Sequence, residues 1–425
     1  MTTPAQRSAL MAGYRMLDLS DEKGMLCGKI FADLGAEVIK VEQPGGDPAR
    51  ALPPFYHDEP DPEKSLFWFA YNAGKKSVTL DLSTADGRAV FQDLVKVADF
   101  VLESFPVGYL ESLELGYAAL SRLNPRIILT SLTPFGDTGP GWNQQADDVV
   151  LWATGGMMAL MGERDRPPVR MNLLQSYFHA GAEAAVGTMT AHYPRELTGE
   201  GQHVIVNMQA CIVWTLMNEQ AYPILHGNSV QRNGVFVGSE GMRQRTVFPC
   251  KDGQITLLLA GGPLAFSLRA FIKWMDEKRM APQWMVEKDW SQWGPATFMN
   301  AKGEEVQKEI DAIEAAVTAF LMTMTKAEIY AEALKRRILL APVATVADIT
   351  ASEQLAARNF FVPIVHEDLG ATLSYPGPFA KLSITPLAVA GRAPHIGEHN
   401  SEVYGGTLLG YSKEKLLALR AVGAI

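Results

Sequence analysis

The chain has 425 residues, 47% of them apolar and 20% charged, and a formal charge of -9. That length accommodates two or three core-forming units, and the composition is that of a globular protein in water. The acidic balance argues against nucleic acid as a main partner, while lysine clusters could still hold one small anion.

In chain order, residues 14–20 read as a strand. Residues 26–34 read as a helix with Ile30, Phe31 and Leu34 on one face, and Asp21 can cap it. Gly35 stands where a left-handed C-terminal residue belongs. Residues 36–41 are β-branched and apolar, a second strand, and Pro44-Gly45-Gly46-Asp47-Pro48 must turn. This strand–helix–strand unit is the seed of a parallel sheet. Residues 55–64 are rich in proline and acids, an exposed loop, and 65–71 are strongly aromatic. Then come a strand at 78–82, a helix at 83–98, a strand at 100–103, a helix at 108–123 stopped by Pro125, and a strand at 126–131. Such alternation predicts an α/β, doubly wound sheet. No G-x-G-x-x-G follows the first strand, so a dinucleotide-binding reading lacks its main support.

Further on, 133–141 is a glycine-rich loop, and 148–161 is apolar with Gly155-Gly156 at a close approach. Residues 177–193 are a tightly packed Ala- and Gly-rich helix, 203–206 a strand, and 208–221 a long helix. After Gly227 the composition changes. Gly234, Gly238 and Gly241 punctuate a loop. Strands at 246–249 and 254–259 flank the hairpin turn Lys251-Asp252-Gly253, and helices carrying Trp274, Trp284, Trp290 and Trp293 follow. The expected division is a large domain at 1–224, a smaller α+β domain at 225–330, and a linker at 331–425 that rejoins the large domain. Cys27, Cys211 and Cys250 lie far apart without metal-ligand spacing, which predicts no metal site and a reducing cytoplasm. No run approaches the roughly 18 apolar residues of a membrane span, and 1–12 lacks the core of a signal peptide.

One set of motifs runs from end to end. It comprises Ala32-Asp33-Leu34-Gly35-Ala36-Glu37-Val38-Ile39-Lys40-Val41-Glu42 with Pro44, Gly46-Asp47 and Arg50. Asn72, Lys75-Lys76-Ser77 and Leu80-Asp81-Leu82 come next. Phe135-Gly136-Asp137-Thr138-Gly139-Pro140, Thr198-Gly199-Glu200-Gly201-Gln202, Ala393-Pro394 and Gly397-Glu398-His399 complete it. In order and spacing the chain resembles the class III CoA-transferases. The resemblance implies a Rossmann-like large domain, a small domain, and two chains interlocked like linked rings. It implies coenzyme A, acyl-CoA and small carboxylic acids as substrates, with no tightly bound cofactor. It also implies covalent catalysis by a carboxylate. An aspartate attacks the donor thioester to give an acyl anhydride, CoA thiolate returns to give an aspartyl thioester, and the acceptor carboxylate then takes the CoA. Lys40, Arg50, Asn72, Lys75, Lys76, Gly136 and Gly139 become the candidates for holding CoA, since ammonium groups suit phosphate.

The catalytic aspartate of the family stands four residues before a glycine that is Gly181 here, which places Tyr177 at its position. The stretch 167–181, PPVRMNLLQSYFHAG, contains no Asp or Glu. A phenol with a pKa near 10 is a poor stand-in for a carboxylate. Glu183 lies about 240° further round the helix, and Asp147 and Asp148 match a structural acid of the family. His179 reads as an ordinary helix histidine, and the tryptophans as small-domain core. Two further departures agree. Asp21-Glu22-Lys23-Gly24 replaces the small apolar loop that faces the thioester in the family, and the family's basic residue before a proline-glycine turn is missing from Ser104-Phe105-Pro106-Val107-Gly108. Some members of the family are hetero-oligomers in which one subunit lacks the aspartate. In its Asp-Glu-Lys-Gly loop and missing aspartate the chain is similar to the non-catalytic subunits of the benzylsuccinate branch, which serves anaerobic toluene breakdown. That resemblance implies no catalytic residue in this chain and, as partner, a homologous catalytic subunit carrying the aspartate. A self-sufficient homodimeric transferase with a displaced nucleophile, and an acyl-CoA-binding protein without catalysis, remain alternatives.

Overall fold

Met16 and Leu17 of the first strand point to opposite faces and are both wholly buried, which is what a strand in the middle of a parallel sheet requires. The computed structural model describes residues 9–227, 229–239, 242–291, 293 and 303–425. The chain forms two units, one of Met1–Met158, Arg170–Ser229 and Glu353–Ile425, the other of Ala159–Val169 and Val230–Ser352.

The first unit is built on β1 (Arg15–Asp18), β2 (Glu37–Glu42), β3 (Lys76–Thr79), β4 (Phe100–Glu103), β5 (Ile128–Thr133) and β6 (His203–Asn207). They form one sheet in the order β3-β2-β1-β4-β5-β6, with every pair parallel. Successive residues point to opposite faces. Leu17, Ile39, Val78 and Val101 pack on one side with Val90, Phe91 and Leu94 of a helix at Ala85–Val95. Met16, Val38, Phe100 and Ile128 pack on the other, against α1 (Met25–Asp33) and α2 (Gln175–Thr198). The strand order is that of a Rossmann-like sheet, and its direction of winding reverses between β1 and β4. The expected mixed α/β class is therefore observed.

Gly35 closes α1 at φ 91°, the left-handed conformation that suits glycine. Asp21, expected as the cap of α1, does not cap it. The N-cap is Gly24, without a side-chain bond, because the Asp21 carboxylate is taken by Ser104 and Lys23. The helix expected over 108–123 is two, Tyr109–Ser112 and Tyr117–Leu123, parted where Glu114 turns to φ 59°. The helix expected over 208–221 stops at Trp214. A close approach at Gly155 is observed, where a Cβ would meet Ile212 at 2.6 Å.

Residues 353–425 return to this unit. An antiparallel hairpin, Phe361–His366 with Ala371–Pro376, packs Ile364 and Tyr375 against Trp68 and Phe69 of a helix at Leu66–Asn72. The carbonyl of Pro394 accepts from both Arg50 and Trp68.

The second unit holds the expected hairpin, β9 (Val247–Cys250) with β10 (Gly253–Leu257). It is preceded by a shorter one, β7 (Phe236–Ser239) with β8 (Met242–Arg245). Gly241, expected in that loop, lies outside the described residues. Trp274, Trp290 and Trp293 are core together with Phe248, Phe271 and Phe320, whereas Trp284 is 39% exposed. This unit extends past 330 to Ser352, because a helix at Lys326–Arg336 and a strand at Leu340–Pro342 contribute Ile329, Ala333 and Leu340 to its core.

Candidate functional site

The carboxyl ends of parallel strands at the point of reversal are where open α/β sheets bind ligands. Asp21 follows β1 there and Ser104 follows β4. The Asp21 N–H donates to Ser104 Oγ at 3.0 Å, and Ser104 Oγ donates to Asp21 Oδ1 at 2.7 Å. A cleft of about 200 Å³ opens beside them, lined by Leu19, Asp21, Val41, Gln43, Pro48 and Phe105.

Glu103, the last residue of β4, is 6% exposed and accepts from the Phe105 N–H at 2.7 Å. Burial pushes its carboxyl from 4.5 up to about 7. Between those values the folded protein keeps a proton that the unfolded chain has released, so stability falls as pH rises through that window. Glu103→Gln is expected to exceed the parent in stability by on the order of 2 kcal/mol above pH ~8 and to lose that advantage below pH ~4. Urea denaturation across the pH range checks this, and a constant difference would refute it.

Beneath the cleft lies a ladder of buried charges that includes most of the cations expected to hold CoA. Lys75 Nζ donates to Asp18 Oδ2 at 2.8 Å and to the Met25 carbonyl at 3.0 Å, and both side chains of the pair are wholly buried. Lys40 Nζ lies 2.9 Å from Asp47 Oδ2 and 3.9 Å from Asp18 Oδ1, and it donates to the Ser20 carbonyl. Burial opposes the Asp18 charge, but Lys75 and Lys40 outweigh it and hold the carboxyl below its ordinary value. Burial likewise opposes the Lys40 charge, and Asp47 and Asp18 more than restore it. Arg50 grips Glu42 through Nε at 2.7 Å and Nη2 at 2.8 Å, reaches Glu63 at 2.8 Å, and stacks 3.8 Å from the Trp68 ring. Asn72 is fully buried. Its Nδ2 donates to Met25 Sδ and the Trp68 carbonyl, while Oδ1 has no partner among the described residues.

Lys76 alone of the five keeps substantial exposure, 29% of its side chain, and bridges Glu37 at 2.6 Å and Glu402 at 2.5 Å. Lys75, just before β3, is buried on Asp18, while Lys76, its first residue, faces outward. Gly136 and Gly139 stand apart from this group, in the loop after β5, both with left-handed φ.

Tyr177 sits in the first turn of α2 and is 4% exposed. Asp148 fixes that turn, accepting from the Ser176 N–H at 2.9 Å and Ser176 Oγ at 2.6 Å. Gly181, one turn on, lets α2 close on α1, for a Cβ there would stand 3.0 Å from that of Leu26. Burial raises the Tyr177 phenol, and the charges of Glu22, Asp21, Asp148 and Asp147 raise it further. It is therefore neutral at any physiological pH. Lys23 Nζ lies 5.9 Å from the ring centroid.

The other acids weighed from sequence are engaged or turned away. Asp147 caps a helix at Asp148–Thr154, and Glu183 is exposed. The family resemblance expects the loop at Asp21–Gly24 to face the thioester, and the structure brings Asp21 and Glu22 near enough to raise the Tyr177 phenol. They reach Tyr177 because the loop after β1 and the start of α2 meet across α1. Glu22 keeps 26% side-chain exposure, and burial followed by Asp21 raises its carboxyl. The unusual acid pair at the end of a central strand was the available signal. Among the described residues no group of three or more His, Cys, Asp or Glu is arranged to hold a metal ion, and no helix is long and apolar enough to cross a membrane.

A sequence model of CoA-transferase family III matches residues 11–400. The chain is 32% identical over 412 residues to the succinyl-CoA:(R)-benzylsuccinate CoA-transferase subunit BbsE of Thauera aromatica, covering 97% of each. It is 29% identical to the succinyl-CoA–D-citramalate CoA-transferase of Chloroflexus aurantiacus, covering 94% of the chain and 93% of that protein. Among solved structures, a CAIB/BAIF family protein from Brucella suis superposes with a TM-score of 0.76 at 26% identity, over 94% of this chain and 99% of that one.

Proposed function

The chain belongs to CoA-transferase family III, and we propose that it is the non-catalytic subunit of a heteromeric enzyme that moves CoA between carboxylic acids. The observation that carries this reading is the neutral, buried phenol of Tyr177 where the family's resemblance expects the aspartate nucleophile. A phenol that cannot ionise cannot attack a thioester, and a phenolic ester would not reproduce anhydride chemistry. The partner is a homologous chain that carries the aspartate, interlocked with this one in the cytoplasm. Succinyl-CoA and benzylsuccinate are the proposed donor and acceptor, supported by the name of the Thauera relative, itself described as a subunit. Exposed apolar side chains between 214 and 225 support a covering chain: Trp214 is 64% exposed, Ile224 85% and Leu225 73%.

The test is co-purification from the native source followed by CoA-exchange assay. The expected result is a homologous companion with Asp at the aligned position, exchange by the complex, and none by this chain alone. Full exchange by the isolated chain would overturn the reading.

For CoA itself, Lys76 is the candidate that can release an ion pair toward a phosphate. Its partners are half-exposed carboxylates, and such pairs contribute at most about 1 kcal/mol. Lys76→Ala is expected to weaken CoA binding by the complex several-fold, measured by calorimetry. An unchanged affinity would leave Lys76 as a tie between β3 and the returning C-terminal segment. Lys40, Lys75 and Arg50 serve the same proposal from beneath, by holding the loop after β1 and the turn after β2 in place.

A further inference from the structure

The second unit carries a feature that the transfer chemistry above does not use. A cleft of about 770 Å³ is lined by Glu163, Arg164, Asn233, Phe236, Met242 and Arg243, within the size range of small-molecule sites. Phe236 of β7 faces Arg245 of β8, and Gly238 faces Arg243. Gly238 has no side chain, so Arg243 folds over the ring. The two guanidiniums stand 4.6 and 5.0 Å from the Phe236 centroid. Arg245 donates Nη1 to the Val247 carbonyl at 3.3 Å and lies 4.0 Å from Glu314, so it is Arg243 whose stacked guanidinium keeps its N–H edges for an oxyanion, the geometry that suits bidentate recognition.

The cleft's charged lining is Arg164 and Arg243 with Glu163 and Asp165, and the pairing of these groups is uneven. Arg243 has no carboxylate within salt-bridge distance among the described residues; its backbone is held instead by Gln307. Arg232 spends its donors on the carbonyls of Glu163 and Arg166, which leave its charge unneutralised. Arg164 is exposed at the same rim. Against these stand Glu163, already paired with Arg166 at 2.9 Å, Asp165, Asp311 bonded to Gln307, and Glu314, 4.0 Å from Arg245. Apolar wall comes from Phe236 and Met242, both half-buried.

We propose that this cleft binds an organic carboxylate with an apolar body, its carboxylate on Arg243 and Arg164 and its hydrocarbon against Phe236 and Met242. It would be the acid-recognition site that the chain contributes to the enzyme. The assignment rests on the reading that the substrates are carboxylic acids, but not on which subunit is catalytic.

Calorimetry on the intact complex tests it, with benzylsuccinate and succinate as probes and CoA as the phosphate-bearing comparison. Arg243→Gln is expected to weaken benzylsuccinate at least tenfold, more than it weakens succinate, and to leave CoA affinity unchanged. Arg164→Gln, on a separate exposed segment, should weaken the acid in the same direction. Arg126→Gln removes an exposed cation from the first unit and should change nothing. Acid affinity unmoved by both cleft variants overturns the proposal, and so does loss of CoA affinity without loss of acid affinity, which would mark a phosphate site. CoA exchange by the parent complex is measured alongside. Exchange with Arg243-independent acid binding sinks this proposal alone, whereas Arg243-dependent acid binding without exchange sinks only the functional reading.

Discussion

Arg50→Ala is expected to lower the unfolding free energy by roughly 3–5 kcal/mol, the range for removing one partner of a buried ion pair. Arg50 is 1% exposed, and the Glu42 side chain that it grips is wholly buried. Without the guanidinium, Glu42 keeps, among the described residues, the hydrogen bonds of the Ser77 hydroxyl at 2.6 Å and the Asp47 N–H at 2.8 Å, too little to offset a dehydrated charge. The Pro394 carbonyl loses one of its donors and the Trp68 face its cation, so the returning C-terminal segment loosens as well. Urea denaturation followed by tryptophan fluorescence measures the loss. The double variant Arg50→Met with Glu42→Met should cost less than Arg50→Ala, because no lone charge is left behind. A loss under about 1 kcal/mol for Arg50→Ala would mean that the pair is dispensable to the fold, and would return Arg50 to the list of groups available for phosphate.

That contrast also marks where sequence reading succeeds and where it stops. The sheet was legible because its strands are buried on both faces, so Val38-Ile39 and Phe100-Val101-Leu102 are continuous apolar runs with no competing pattern. The helix expected over 177–193 was legible in its Ala- and Gly-rich run, and it extends from Gln175 to Thr198. Helix 108–123 was over-read because a non-glycine residue, Glu114, takes a left-handed turn, which no local preference announces. The fate of the cations was not legible at all. Lys75 finds Asp18 across 57 residues and Arg50 finds Pro394 across 344. Only the tertiary fold decides whether an ammonium beside a strand meets solvent or a buried carboxylate. The same limit placed 331–352 with the second unit although its sequence reads as a connector.

On the proposed heteromeric reading, trapping with hydroxylamine or borohydride during turnover is expected to modify the partner chain and leave this one untouched. Both reagents intercept activated acyl groups: hydroxylamine takes an aspartyl thioester or anhydride to the hydroxamate, and borohydride reduces the thioester to the alcohol. Each needs a carboxylate that has entered the exchange, and the position where the thioester should arrive carries a phenol raised by burial and by four neighbouring acids. For the same reason Tyr177→Asp should not create activity alone. A carboxylate placed at a 4% exposed site, facing Glu22, Asp21, Asp148 and Asp147, would be driven toward its protonated form by desolvation and like charge, and a protonated carboxyl is a poor nucleophile. The loop at 21–24 would also remain where the family resemblance expects small apolar residues, held by Asp21 on Ser104 and Lys23. A working site needs its groups within on the order of 0.5 Å of productive geometry. Peptide mass spectrometry of both chains after trapping provides the measurement. A hydroxamate or alcohol on Glu22, Asp21, Asp147, Asp148 or Glu183 of this chain would end the non-catalytic assignment. Glu22 would be the most informative of these, because it is the half-exposed acid nearest in sequence to Lys23, whose ammonium already overhangs the Tyr177 ring.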